Sequence, residues 1–404
     1  MGGDLKRRGG RLLSRQGEGR QGGYQPGPFA AIYSALLAAG VVAAAVVYFV
    51  LLAAVPGATT NRLDVAKTAL LVVGGSGAVA GLYVAYRKQR TDEANHLRDQ
   101  DKLFTERYTA AVAQLGNTTS AAIRLGGVYA LARIADDSER DRSTCMKVLC
   151  AYLRMPYDPG GPDSEPAERQ VRTTAQAIIG ERLRPGHLGF WPNANIDLAG
   201  AYLIDFSLQG ATVGHFDANQ ATFNGVTWLD EVTFGQMARF GKATFDSVAR
   251  FSKTVFVGGA RFEGVTFNGL AWFSGAKFAT WARLDEVTFN GNADFDETVF
   301  DGDVLFGDSL FGKAVTFSQA VFAGDASTFG AAAYFNKATF DGDVSFDQAT
   351  FGGNVRFDGA TFHRDHAPIW PEGFAEPAGL VWAPVAQPAP ASLRAAGKSP
   401  KTAP

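Results

Sequence analysis

The sequence predicts a chain of mixed fold class, in which two apolar helices and a charged helical region precede a repetitive β-structure. Three observations support this prediction. Two long uncharged runs lie near the N-terminus, apolar residues recur at helical spacing between positions 91 and 184, and an apolar residue stands at every fifth or sixth position after Pro185. With 404 residues, the chain is long enough for more than one domain.

The first segment, residues 1–28, is rich in glycine and arginine and shows no apolar periodicity. It contains six lysine and arginine residues against two acidic residues, a net charge of about +4. This composition predicts a disordered basic tail, because such a segment cannot bury enough apolar surface to fold.

Two uncharged runs predict a transmembrane hairpin over residues 29–86, with spans at about 29–55 and 68–86. As helices, both are long enough to approach or exceed the roughly 30 Å thickness of the hydrocarbon core. Lysine and arginine flank the hairpin on its outer sides, whereas the connector holds only Arg62 and Lys67. By the positive-inside rule, we expect a two-span protein of the cell membrane with both termini in the cytoplasm.

Gly77 and Gly81 form a GxxxG pair in the second uncharged run. Such a pair allows helix backbones to approach closely. It predicts either tight packing within the hairpin or self-association between chains. The lipid bilayer and a second copy of the chain are therefore the partners expected for this region.

Residues 87–184 are predicted to form a small cytoplasmic α-helical region. Apolar residues recur there at helical spacing, and Gly116 and Pro156 mark helix ends. We expect the apolar stripes to form a helical core rather than a cofactor site. Cys145 and Cys150 are the only cysteines, and their five-residue spacing on a helix directs them apart, so no disulfide is expected between them.

A fixed repeat after Pro185 decides the fold of the second half of the chain. Large apolar residues, mostly phenylalanine, recur at alternating steps of five and six residues, so the repeating unit has eleven residues. The residue two positions earlier is also apolar and the residue between is often polar, as in a short half-buried strand. Glycine recurs two positions later, where a corner needs positive φ or close backbone approach. The central positions include Phe240, Phe245, Phe251, Phe256, Phe262, Phe267, Phe273 and Phe278, and the count also passes through Phe329, seven residues after Phe322.

The repeat resembles that of the pentapeptide repeat proteins, A-(D/N)-L-x-x with an apolar centre, over about residues 194–364. Matching stretches include Ala201-Tyr202-Leu203, Ala221-Thr222-Phe223 and Ala338-Thr339-Phe340. The resemblance implies a right-handed quadrilateral β-solenoid over residues 187–364, with about eight coils. The sequence departs from the family pattern by using phenylalanine in place of leucine and by adding a residue on alternate sides. A 22-residue coil with a bulged corner would accommodate that residue.

The segment after the repeat, residues 365–404, is predicted to be a cap around Trp370 followed by a Pro/Ala-rich disordered tail. His363 and His366 flank Asp365 at the end of the repeat. We expect a solvated cap there rather than a metal site. No pairing of a nucleophile with a base is evident, so the sequence predicts a non-enzymatic protein without catalytic, cofactor-binding or metal-binding residues.

The repeat region is acidic, with 20 Asp and Glu against 10 Lys and Arg between positions 187 and 362. We expect a membrane-anchored scaffold or protein-interaction module on the cytoplasmic face, with an unidentified protein partner on the solenoid and no direct nucleic-acid binding. The alternative is an acidic DNA mimic, similar to pentapeptide repeat proteins that block type II topoisomerases, for which regular carboxylate spacing would be the physical basis. An enzyme site within segment 91–184 is a third hypothesis.

Overall fold

A computed structural model describes residues 27–54, 62–160, 166–324 and 333–383. These residues form five helices, α1 (Gly27–Ala54), α2 (Arg62–Leu115), α3 (Ala121–Asp137), α4 (Glu139–Leu153) and α5 (Pro166–Arg182), followed by thirty short strands. The chain divides into two units, Met1–Gln100 and Asp101–Pro404. The predicted tails lie outside the described residues, except for the two residues that begin α1 and the segment up to residue 383.

The predicted transmembrane hairpin is wrong, and so is the placement as a two-span membrane protein with cytoplasmic termini. The described residues leave out some positions of α1 and α2. Among the residues that are described, no helix has a sufficiently long and apolar stretch to cross a bilayer. The hairpin was predicted from the absence of charged residues in two runs, not from their apolar surface. In α2, the run at 68–86 is not a separate helix, because the same 54-residue helix continues into a charged stretch. Glycine and serine within that run also contribute little apolar surface.

The repeat region forms four parallel β-sheets, which we name A to D in the order in which a complete central coil passes through them. Sheet A contains β1 (Ile196–Asp197), β4 (Phe216–Asp217), β8 (Ala238–Arg239), β12 (Ala260–Arg261), β16 (Ala282–Arg283), β20 (Val304–Leu305), β24 (Ala333–Tyr334) and β28 (Val355–Arg356). Sheet B contains β2 (Tyr202–Ile204), β5 (Thr222–Asn224), β9 (Thr244–Phe245), β13 (Thr266–Phe267), β17 (Thr288–Phe289), β21 (Leu310–Phe311), β25 (Thr339–Phe340), β29 (Thr361–His363) and β30 (Val381–Ala383).

The other two sheets complete each turn of the chain. Sheet C contains β6 (Thr227–Trp228), β10 (Ala249–Arg250), β14 (Ala271–Trp272), β18 (Ala293–Asp294), β22 (Val315–Thr316) and β26 (Val344–Ser345). Sheet D contains β3 (Thr212–Val213), β7 (Thr233–Phe234), β11 (Val255–Phe256), β15 (Lys277–Phe278), β19 (Val299–Phe300), β23 (Val321–Phe322) and β27 (Thr350–Phe351). Because every neighbouring pair is parallel and each of the central coils contributes one strand per sheet, the predicted four-sided β-solenoid is confirmed.

The predicted 22-residue coil is also confirmed. Ala238 pairs with Ala260, which in turn pairs with Ala282, so each regular coil advances by 22 residues. The additional residue belongs to the six-residue steps, such as that from Phe245 to Phe251. In the five-residue steps, one corner residue stands in the left-handed region of backbone conformation, for example Lys242 at φ 58° and Lys253 at φ 56°. These residues turn the corner while their N–H groups still donate to the next coil.

Glycines at the corners serve two different purposes. Gly275 adopts φ +67° at the position that Lys253 occupies one coil earlier. Gly269 has an ordinary φ, but a Cβ there would lie 2.5 Å from the carbonyl carbon of Ser247 and 2.6 Å from its oxygen. Both requirements were expected from the sequence, positive φ at some corners and close backbone approach at others.

We expect Gly269→Ala to lower the free energy of unfolding by about 1–3 kcal/mol, because the backbone of the neighbouring coil must move. Gly275→Asn should change it by less than about 1 kcal/mol, because the fold already accepts a side chain in this conformation at Lys253. Urea unfolding followed by circular dichroism measures both. Equal losses for the two variants would contradict the distinction between the two kinds of corner.

Phenylalanine rings fill the interior of the solenoid in four columns, one behind each sheet. Rings from consecutive coils lie nearly parallel, with centroids 4.4 to 5.2 Å apart. Leu284 interrupts the column behind sheet A and is fully buried in the place of a ring. The predicted phenylalanine core is therefore present as stacks of offset rings, with Leu284 as the interruption behind sheet A.

Seven extra residues enter one coil between β23 and β24. Val304 pairs with Ala333, an advance of 29 residues instead of 22, and the ring of Phe306 stacks on that of Phe335 at 5.0 Å. Four strands still form this coil without Phe329, which lies outside the described residues. Counting Phe329 as a strand centre therefore stays a prediction.

Both ends of the solenoid are covered by other parts of the chain. At the C-terminal end, Trp370 stacks on Phe346 at 5.2 Å. At the N-terminal end, the buried Gln176 of α5 donates to the carbonyl of Ile204 at 2.7 Å and accepts from its N–H at 3.0 Å. This side-chain amide satisfies the backbone groups that a preceding strand would otherwise bind. The helices α3 to α5 share one core with the solenoid.

Candidate interaction surface

The outward side chains of the four sheets form columns. Each strand places one residue outside, and the register partner of that residue on the next coil also points outward. The core consists of the inward residues, so the outward ones are largely free of packing requirements. The four faces differ in chemistry, and each is described in turn.

Sheet A presents a column of arginines. Arg239, Arg261 and Arg283 are register partners on three consecutive coils and all point outward. Leu305 and Tyr334 occupy the next two places in the same column. We call Arg239, Arg261 and Arg283 the arginine column.

Sheet C presents an arginine between two tryptophans. The guanidinium of Arg250 lies 4.7 Å from the ring centroids of both Trp228 and Trp272. Its Nε also donates to Asp230 at 2.7 Å. The charge of Arg250 is thus compensated within the protein by one carboxylate and two aromatic faces.

Sheets B and D present mostly neutral side chains. Thr222, Thr244, Thr266 and Thr288 follow one another on sheet B. The outward residues of sheet D are threonines, valines and Lys277. Lys277 pairs with Asp301 at 2.9 Å. These faces carry little charge at their centres.

The carboxylates of the solenoid are distributed over several corners rather than along one stripe. Glu263 and Asp285 lie after sheet A, Asp246 after sheet B, and Asp296 after sheet C. The regular carboxylate spacing on which the DNA-mimic hypothesis depends is therefore not seen among the described residues.

Burial raises the pKa of Asp294, an outward residue of sheet C, and the nearby charges of Asp296 and Glu297 raise it further. A pKa above that of the unfolded chain means that ionisation favours the unfolded state, so stability is lost as the pH rises through the carboxyl range. At neutral pH, the Asp294 charge is therefore destabilising.

We expect Asp294→Asn to raise the melting temperature at pH 7 by about 1–2 °C, because the amide oxygen can still accept from the N–H of Asp296. The gain should disappear below about pH 3, where the carboxyl group is neutral. Asp347→Asn, at an exposed corner of the same sheet, removes the same charge and serves as the control. A gain that persists at low pH would contradict this explanation.

The histidines at the end of the repeat pair with separate carboxylates. His363 Nε2 lies 3.3 Å from Asp341, and His366 Nδ1 lies 2.6 Å from Asp343. Within the described ranges, no three His, Cys, Asp or Glu side chains are grouped so that they could hold a metal ion.

A buried polar network in the helical region was not foreseen from the sequence. Arg172 is 2% exposed, donates to the carbonyls of Leu153 and Met155 at 3.0 and 2.8 Å, and donates to Glu168 at 3.0 Å. The hydroxyl of Tyr152 donates to the same carboxylate at 2.8 Å. Burial and this hydrogen bond raise the pKa of Tyr152, which keeps it neutral. A cleft of about 740 Å³ lies beside the network.

The α4 cysteines are buried and unpaired, as the sequence predicted. Burial raises the pKa of Cys145 to about 11 and that of Cys150 to about 12. Both are therefore protonated thiols at neutral pH, which makes them poor nucleophiles.

The Gly77 and Gly81 pair remains a prediction. Gly81 faces open space in its unit, with no atom within 4 Å of a Cβ built on it. The surroundings of Gly77 lie outside the described residues. Self-association through this pair is therefore untested.

Comparison with known families decides the identity of the solenoid. The family model for pentapeptide repeats (9 copies) matches five overlapping stretches, residues 218–266, 240–288, 251–299, 284–331 and 325–366. The solenoid is built of pentapeptide repeats. The matches cover the coils with alternating five- and six-residue steps, so the pentapeptide-repeat region accounts for most of the solenoid, including its seven-residue insertion. Neither a curated protein nor a solved structure matches the chain.

Proposed function

We propose that this protein is a non-catalytic interaction module that binds a protein partner on an outer face of its solenoid. The observation that supports the proposal is the separation of roles within each strand. Inward phenylalanines maintain the fold, while outward residues such as Arg261 and Trp272 form regular columns of distinct chemistry. Solenoids of this kind offer an extended rigid surface whose residues can vary without loss of the core.

The charge pattern favours this function over DNA mimicry. A mimic needs regularly spaced negative charges on one face. Here the acidic residues lie at several corners, and the regular column of like charge on sheet A is positive. The thiols of the helical region are buried, and the donors of Arg172 are already used in hydrogen bonds, so neither supports a catalytic role for the helices.

The test is site-specific photo-crosslinking of the full chain in its native cells. A photoreactive residue is placed at an outward position of each face, at Leu305, Thr266, Thr316 or Lys277 in turn. We expect one face, and not all four, to yield a specific protein adduct that excess purified wild-type protein competes away. The absence of competed adducts at every face, or equal capture at all four, would overturn the proposal.

A further inference from the structure

The arginine column is an unusual arrangement of like charges. Consecutive coils lie about 4.8 Å apart, so the Arg239, Arg261 and Arg283 side chains leave the sheet at that spacing. Like charges directly opposite each other on neighbouring strands are destabilising. Such a column therefore gains stability when negative groups lie over it.

The carboxylates of the protein satisfy the two ends of the column but not its centre. Arg239 lies 3.4 Å from Asp217. Arg283 lies 3.1 Å from Glu263 and 3.3 Å from Asp285.

The side chain of Arg261 forms no ion pair and no hydrogen bond among the described residues, and its Nε is buried without an acceptor. Its guanidinium instead lies 5.6 Å from the centroid of the Trp281 ring, in a cation–π contact. The middle of the column is therefore an arginine that lacks a negative partner. Each guanidinium has five N–H donors, so the flanking arginines also retain donors beyond those in their ion pairs.

Apolar and aromatic side chains border the column. The ring of Trp281 lies directly over Gly259, where any Cβ would collide with it. Leu305 and Tyr334 continue the column on the next two coils. Arginine, tryptophan and tyrosine are the residue types that contribute most to protein–protein binding energy.

We propose that the arginine column binds an acidic α-helical segment of a partner protein, with its carboxylates on the three guanidinium groups and its apolar side chains against Trp281 and Leu305. This inference rests on the proposed interaction function and names its face and the chemistry of its partner. A helix rises about 1.5 Å per residue, so acidic residues at positions i, i+3 and i+7 lie at heights of about 0, 4.5 and 10.5 Å. Three arginines at steps of about 4.8 Å span nearly the same length.

A short acidic segment fits this surface better than a nucleic acid. The column covers only three coils, and the solenoid around it has 20 acidic against 10 basic residues between positions 187 and 362. A long polyanion would extend from the column onto acidic surface that repels it. A helix that places its charges on the column alone avoids this repulsion.

The experiment measures binding of a fluorescent, alanine-based helical peptide with glutamate at i, i+3 and i+7 to the full-length protein. The matched peptide has glutamine at those three positions. We expect the glutamate peptide to bind and the glutamine peptide to bind at least tenfold more weakly. Arg261→Gln should weaken the binding of the glutamate peptide by about tenfold, and the triple replacement of the column by glutamine should abolish it.

Lys277→Gln, which removes one positive charge from sheet D, is the matched control and should leave peptide binding unchanged. The proposal is overturned if this control weakens binding as much as Arg261→Gln, or if the two peptides bind equally. It is also overturned if a 20-nucleotide single-stranded DNA binds the column and the glutamate peptide does not. Circular dichroism establishes that each variant remains folded.

The two proposals fail in distinguishable ways. Specific crosslinks from sheet B, C or D alone, with no peptide binding to sheet A, would reject the acidic helix and leave the interaction module standing. No competed crosslink from any face would reject the interaction module itself.

Discussion

Replacing Phe273 with alanine is expected to lower the free energy of unfolding by about 3–5 kcal/mol, which makes it one of the two largest effects predicted here. Phe273 is fully buried behind sheet C. Its ring stacks on Phe251 at 4.6 Å and on Phe295 at 4.9 Å, and it meets Phe262 edge-on at 5.7 Å. Truncation leaves a cavity in the middle of a column, and rings above and below lose their partner at once.

Phe273→Leu is the matched comparison and should cost clearly less. Leu284 already stands in a phenylalanine column, behind sheet A, and remains fully buried there. A leucine therefore fills this kind of space, although it loses the ring stacking. Chemical unfolding followed by circular dichroism gives both values. A loss below about 1 kcal/mol for Phe273→Ala would contradict a tightly stacked core.

Much of the solenoid followed from local periodicity. Alternating steps of five and six residues, polar residues between apolar ones and glycine at corners together predicted short strands, a 22-residue coil and a phenylalanine core. These features depend on residues close together in the chain, where alternation of side chains and backbone sterics determine the structure. The arginine column had a sequence signal too, the Ala-Arg pairs at 238, 260 and 282, but it becomes meaningful only once the coil length is known.

Other features depend on contacts that periodicity does not report. In the sequence, Gln176 has no feature that distinguishes it from other helix residues. It pairs with the backbone of Ile204 because α5 packs against the first coil. The 29-residue advance of one coil became evident only from the pairing of Val304 with Ala333. The hairpin prediction failed because the uncharged stretch at 68–86 was taken as a complete helix, whereas it is one part of α2.

Arg172→Met is expected to lower the free energy of unfolding by about 3–5 kcal/mol, because it removes one of the two arginines that pair with Glu168, the other being Arg124 at 3.0 Å, and breaks a buried hydrogen-bond network. Arg172 and Glu168 are an i, i+4 pair on α5, with the arginine side chain 3% and the glutamate side chain 17% exposed. The substitution also leaves the carbonyls of Leu153 and Met155 without their donor. Methionine replaces the aliphatic part of the arginine side chain but not the guanidinium, so the loss reports on the polar network together with the space that the guanidinium occupied.

The matched control is Arg169→Met on the same helix. Arg169 pairs with Asp205 at 3.1 Å, but both side chains are more than half exposed, so its loss should cost less than about 1 kcal/mol. Equal effects of Arg172→Met and Arg169→Met would show that burial of the network contributes little.

The effect of Arg172→Met should extend into the solenoid. Arg172 lies one helical turn before Gln176, whose amide satisfies the backbone of Ile204 at the first coil. If the polar network positions α5, its loss loosens this cap and exposes the edge of sheet B. Hydrogen exchange should therefore show faster exchange at the N–H of Ile204 in Arg172→Met than in Arg169→Met, while exchange in the central coils is unchanged. Unaltered exchange at Ile204 would mean that α5 holds the cap without the network.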